Sequence, residues 1–220
     1  MPDPRGFLGT TVGRKIVMAA TGIVLFGFVL LHMLGNLQAF MGPEALNHYA
    51  VWLRELGHGG ALWIFRAVLL VSVALHVWAA TVLTLENLRA RRVGYRERAW
   101  QRSTYASRTM VWSGPIVALF VVYHILHFTT GTVHPSFVEG DVYHNFVAGF
   151  RVVPVSVFYI VAMLALGYHL YHGFWSMLQT LGLSHPRYNP LRHAASAAFT
   201  FAIVGVNISF PVAVLTGIIR

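Results

Sequence analysis

The sequence predicts an all-α integral membrane protein. Hydrophobic residues fill 56% of its 220 positions and charged residues only 10%, where soluble domains carry about 25% charged residues. Mean hydropathy is +0.62. Five stretches reach the roughly 20 apolar residues that a bilayer crossing needs. None shows the strict alternation of a lipid-facing barrel strand, so each is read as a helix, which satisfies its own backbone in hydrocarbon.

The first span, about 15–40, reads KIVMAATGIVLFGFVLLHMLGNLQAF. It is too long for the apolar region of a signal peptide and has no small-residue cleavage site after it, so it is expected to be retained. The others are expected at about 61–86, 110–131, 153–181 and 195–219. Connecting segments run to about 24 residues, the most polar being RARRVGYRERAWQRSTYASR. None is long enough to fold separately, so residues 1–220 are read as a single transmembrane domain.

The net charge of +9 does not point to nucleic acid, because the basic residues lie between apolar segments instead of along one face. They sort by membrane side. Arg5, Arg14, Lys15, Arg89, Arg91, Arg92, Arg96, Arg98, Arg102, Arg108, Arg187 and Arg192 fall on one side. Arg54, Arg66, Arg151 and Arg220 fall on the other, with Glu44, Glu55, Glu139 and Asp141. The positive-inside rule therefore places the N-terminus in the cytoplasm and the C-terminus outside. Tryptophans 52, 63, 100, 112 and 175 mostly fall near span ends, as interfacial anchors do. The arginine-rich loop is read as topology bias, or as a docking face for a soluble subunit or anionic lipid.

Histidine carries the chemistry. The chain has no cysteine, which removes disulfides, thiolate-held iron–sulfur clusters and covalent c-type haem from anything it does alone. Six of its twelve histidines lie in spans: His32, His76, His124, His127, His169 and His172, with none in the fifth. That distribution predicts a four-helix haem-binding core with a peripheral fifth helix. An ionisable side chain in hydrocarbon is costly and marks a site by default.

Depth follows from the helical rise of 1.5 Å per residue. Counted from Lys15 and Arg108, His32 and His124 lie roughly 25 Å from the cytoplasmic edge. Counted from Arg89 and Ser184, His76, His169 and His172 lie roughly 18 to 23 Å deep. The counts pair span one with span three, and span two with span four. One imidazole from each of two helices is what haem b takes, its flat ring filling the space between them. Gly27, Gly35, Gly131, Gly167 and Gly173 permit such a ring. In YHILH and YHLYH the two histidines are three apart and about 60° apart around the helix, so only one of each doublet can be an axial ligand of a given ring. The other is expected to bond a propionate or a backbone carbonyl. His48, His58, His134, His144, His185 and His193 are read as solvated at membrane edges.

Several blocks carry a family resemblance: GRKIVMAATG, LLHMLGNLQAFMGPEALNHYA, LHVWAA, YASRTM, YHILHFTTGTVHP and LGYHLYHGFWSMLQTLGLSHPRYN. The chain resembles, over nearly its whole length, the single-subunit, five-helix, dihaem cytochrome b membrane anchor of succinate dehydrogenase and fumarate reductase. The resemblance implies two b haems, one held by His32 and His124 farther from the cytoplasm and one by His76 and His169 nearer to it. His127 and His172 are the alternatives within their doublets. It also implies a flavoprotein subunit that oxidises succinate, an iron–sulfur subunit, a bacterial cytoplasmic membrane, and a quinone, menaquinone by expectation. This chain would be the quinone-reactive subunit of a respiratory and tricarboxylic-acid-cycle enzyme. Higher oligomers are left open.

A quinone needs an apolar slot with polar groups at its carbonyl ends. Asn36 and Gln38, with His32 and His134 and with Glu139 or Asp141 as proton relays, form one candidate set. Arg14 and Lys15, with Thr21 and Tyr188, form another. Asn36 and Gln38 read equally well as caps of a helix end. Competing readings are the cytochrome b subunit of a hydrogenase or formate dehydrogenase, a histidine-relay transporter, and a haem-free anchor. Transporters usually show internal repeats and intramembrane carboxylates; here only the YHxxH echo is present and no acid lies mid-span.

Overall fold

The computed structural model describes residues 6–90 and 105–220. Arg5, Arg91, Arg92, Arg96, Arg98, Arg102 and Trp100 lie outside the described residues, as does the side chain of Arg108. Five helices are long and apolar enough to cross a membrane: Thr11–Met41, Gly60–Arg89, Thr109–Phe128, Val153–Thr180 and Asn189–Leu215. The fold is an all-α membrane bundle. Its elements are α1 (Gly6–Gly9), α2 (Thr11–Asn36), a 3-10 turn (Leu37–Met41), α3 (Pro43–Glu55), α4 (Gly60–Arg89), α5 (Tyr105–Phe128), α6 (Val142–Arg151), α7 (Val153–Thr180) and α8 (Asn189–Leu215). Below, the first face is the one from which α2 starts; α3 and α6 lie at the second.

Local sequence sets the helix ends. Thr10 caps α2, its hydroxyl oxygen accepting from the Gly13 N–H at 3.0 Å, which satisfies one of the donors a helix start leaves open. The fourth span stops at Gly182, where φ is +80°. The Gly182 N–H donates to Gln179 O at 3.1 Å and the Leu183 N–H to Leu178 O at 2.9 Å, a left-handed termination that favours glycine. Gly217 ends α8 in the same way, through bonds to Val214 O and from Ile218 to Ala213 O.

Association in hydrocarbon rests on close packing, because lipid tails are as apolar as leucine. The seam between α2 and α4 shows this. Ser72, Ala79 and Leu83 are the buried residues of α4, and with His76 and Glu86 they recur at alternating spacings of four and three, a stripe that faces one partner. At the first face the seam closes with an ion pair between Arg14 and Glu86. The Arg14 guanidinium also donates to Leu8 O and Gly9 O, both at 2.9 Å.

Helix α7 is the centre of the bundle, packing on α5, α8 and α2. Gly167 lets α8 come close, since a Cβ there would stand 3.0 Å from Val204. Arg192, buried in the first turn of α8, donates to Trp175 O at 3.0 Å and Asn189 Oδ1 at 2.7 Å, tying the α7–α8 hairpin. At the second face, Asn47 of α3 donates to Asp141 at 3.0 Å and accepts from the Tyr143 N–H at 2.9 Å. Under that polar tie Leu46, Phe120, Phe146, Phe150, Tyr159 and Phe210 form an aromatic-rich core.

Two pairs of helices face each other without packing closely, α2 with α5 and α4 with α7. Histidines occupy both gaps.

Candidate functional site

The structure brings His32 of α2 to His124 of α5, with ring centres 5.8 Å apart. It brings His76 of α4 to His169 of α7, with ring centres 6.2 Å apart. Both contacts join spans that the depth count paired. His127 and His172 turn elsewhere: His127 stacks on Tyr123 at 5.5 Å and on His134 at 4.8 Å, and His172 faces Trp175 at 6.2 Å.

Hydrogen bonds settle where one of the protons sits. Thr21 Oγ1 lies 2.7 Å from Val17 O and donates its one hydrogen back to the backbone of its own helix. At 3.1 Å from His76 Nδ1 it must then accept, because a hydroxyl has one hydrogen and two lone pairs. His76 therefore carries its proton on Nδ1 and presents Nε2 as a free lone pair. Across the gap, His169 Nδ1 is buried and has no hydrogen-bond partner.

In the other pair, Asn36 Nδ2 donates to His32 Nε2 at 3.2 Å, and Phe28 stacks on the His32 ring at 5.3 Å. The His32 side chain is exposed, while His124 is half-buried. His124 is walled by Phe120, Phe128 and Tyr159, with ring centres at 5.8, 5.7 and 6.0 Å. Its Nδ1 is 3.4 Å from the Tyr159 hydroxyl, which also reaches His127 Nδ1 at 3.0 Å. His127 is fully buried.

Imidazoles this far apart are beyond direct hydrogen bonding, which needs about 3 Å between nitrogens. Two metal–nitrogen bonds of about 2 Å each put the nitrogens about 4 Å apart and the ring centres about 6 Å apart. The two ring-centre separations are of that length. Among the described residues no group of three or more His, Asp or Glu side chains gathers to hold a bare ion. Paired imidazoles instead suit a metal whose remaining ligands arrive with it, as in a macrocycle.

Glycines partly fit the room expected of them. A Cβ on Gly27 or Gly173 would meet nothing within 4 Å, and one on Gly22 would stand 3.7 Å from the His76 ring. Gly35, Gly131 and Gly167 serve protein packing instead, against Tyr49, Phe137 and Val204.

The remaining candidates are dispersed. Arg14 is buried at the first face with Glu86, and Lys15 beside it is exposed. Asn36 and Gln38 lie at the opposite end of α2, in and before the turn that closes it. A cleft of about 420 Å³ opens at the first face between Gly9, Thr10, Thr11, Leu83, Glu86, Asn87 and Ala90. Asp141 caps α6, accepting from the His144 N–H at 2.9 Å. That backbone bond, with the Asn47 amide, holds its carboxyl below the usual range. His134 is not simply solvated: its Nε2 donates to Asn145 O at 2.8 Å and its Nδ1 accepts from the Ser136 N–H at 3.1 Å. Nothing in the sequence marks Tyr159 as a functional residue, since a tyrosine inside an apolar run reads as packing.

The model of the succinate dehydrogenase/fumarate reductase transmembrane subunit family matches residues 87–207, more than half of the chain. The chain belongs to this family. No curated protein and no solved structure matches it. The family match contains His124, His169 and Tyr159, whereas His32 and His76 lie before it. As a membrane subunit of the succinate dehydrogenase/fumarate reductase family, the chain associates with that enzyme's soluble subunits.

Proposed function

We propose that this chain is the membrane anchor and electron-transfer subunit of a succinate:quinone oxidoreductase, with two b haems clasped by its histidine pairs. The observation that carries the reading is the pair of ring separations, 5.8 and 6.2 Å, across helices that do not otherwise pack closely. His32 and His124 hold one haem, the Asn36 amide giving up His32 Nε2 when it is bound; His76 and His169 hold the other. The residues fit the group on three counts. His76 already presents Nε2 as a lone pair, His169 has a buried ring nitrogen with no partner, and Gly27 and Gly173 leave space open.

Bound there, haem supplies reversible one-electron chemistry. The chain's own residues do the rest. Thr21 orients the His76 ring, and such a bond to the distal N–H strengthens a ligand. The aromatic wall around His124 excludes water. Without cysteine, the chain draws electrons from clusters held by its iron–sulfur partner, which with the flavoprotein sits on the cytoplasmic side, at the first face. The N-terminus is then cytoplasmic and the C-terminus outside a bacterial inner membrane. Menaquinone is the acceptor, and its head group is assigned to the first-face cleft, where Thr10, Glu86 and Asn87 supply polar groups beside Leu83.

The test is the reduced-minus-oxidised visible spectrum of the purified complex with a pyridine haemochrome count per chain. Two b haems are expected. One would remove half of the ligand set, and none would leave a haem-free anchor.

A further inference from the structure

We propose that Tyr159, backed by His127, is a positioning residue that fixes the proton of His124 on Nδ1 and so keeps Nε2 open toward His32. The inference rests on the haem reading above and deepens it. The Tyr159 hydroxyl lies between two ring nitrogens, 3.0 Å from His127 Nδ1 and 3.4 Å from His124 Nδ1. Among the described residues these two nitrogens are the hydroxyl's hydrogen-bond partners, so pairing its one hydrogen means donating to one of them while accepting from the other. Two arrangements pair that hydrogen. If His124 Nδ1–H donates to Tyr159, the tyrosine donates to His127 Nδ1, and His127 carries its proton on Nε2. If the direction reverses, His124 carries its proton on Nε2, which is then closed to a metal.

Ligation by His124 Nε2 thus selects one direction for both bonds. The cost of that direction falls on His127, whose Nε2 is buried without a partner. A Cβ on Gly149 would stand 3.1 Å from that atom, so α6 seals it. An unpaired buried donor is costly, because its lost hydration is not replaced. Packing alone does not require a polar ring there, since phenylalanines fill the surrounding core. His134, stacked on His127, cannot take over its role, because both of its nitrogens are already committed. Tyr159 itself is 5% exposed, so water does not compete for its hydroxyl. His127 therefore acts at one remove from the metal, through the tyrosine, and is not an axial ligand.

A bond from the N–H of a coordinated histidine raises ligand basicity, which favours oxidised iron and lowers its potential. The experiment uses the purified complex, wild type and with Tyr159→Phe, His127→Phe and His124→Ala. It reads haem per chain, the low-temperature EPR signal and the midpoint potential of each haem. The component missing from His124→Ala identifies the haem at this pair. Tyr159→Phe is expected to keep two haems, raise the potential of that component, shift its EPR signal and leave the other unmoved. His127→Phe is expected to move the same component, because the tyrosine loses its acceptor; it decides the matter alone if Tyr159→Phe fails to fold. Two wild-type haems with no change in either variant would overturn the positioning role while leaving the haem reading standing. A wild-type complex with no haem at this pair would overturn both.

Discussion

The two histidine pairs have nearly the same ring spacing but very different walls. His124 stands among Phe120, Phe128 and Tyr159, and behind it lies a buried tyrosine–histidine bond. His76 stands on the seam of α4 with α2, its Nδ1 bonded to a threonine that is itself tied to its own helix. Spacing is a property of where helices sit, and it can be repeated. The partner behind a ligand is a property of single side chains, and here it is not repeated. On the reading proposed above, two chemically identical haems would therefore differ in potential.

The largest expected effects come from removing ligands. His76→Ala and His124→Ala should each halve the haem content and leave the other component intact. A pyridine haemochrome count unchanged in either variant would break the comparison at its root. Next come the second histidines of the doublets. His127→Leu and His172→Leu should keep both haems, and His127→Leu should change stability little, because the hydroxyl it strips of a partner is offset by the unpaired buried Nε2–H it removes. Thermal unfolding and haem content measured together check this.

Thr21→Val conserves shape and removes only the acceptor, so it should raise the potential of the His76–His169 haem and spare the other. A potentiometric titration resolving both components would show it, and a shift at the wrong haem would reverse the assignment. The smallest effect is expected at Asp141. Its carboxyl is held low in the folded chain, first by the His144 N–H. That stability is fully present above the unfolded carboxylate value of about 3.9 and is lost as pH falls through the lower folded value. Asp141→Asn should flatten the acid limb of a stability profile below about pH 4, with both haem signals unchanged.

Hydropathy made the five spans legible, because twenty apolar residues admit little else. The boundaries drifted where side-chain chemistry takes over. The third span stops at Phe128, three residues before the expected end, since Thr129 to Gly131 already turn. The fifth begins at Asn189, not 195, because Asn189 and Pro190 start a helix as readily as they make a loop. Helices α3 and α6 were not anticipated; both are short and too polar to register as spans. Pairing by depth was readable because helical rise is nearly constant. Which histidine of each doublet faces the gap was not, because helix rotation is set by packing, and Tyr159 meets His124 and His127 across more than thirty positions of sequence.

The helices that carry paired imidazoles leave slots between them, one bounded by α2 and α5, the other by α4 and α7. The bundle's own close contacts are made elsewhere, α2 on α4 and α7 on α5, α8 and α2. On the haem reading proposed above, the exposed ring of His32 makes the lipid side the open approach for a flat apolar group to the pair on α2 and α5, with no helix having to leave the membrane to admit it.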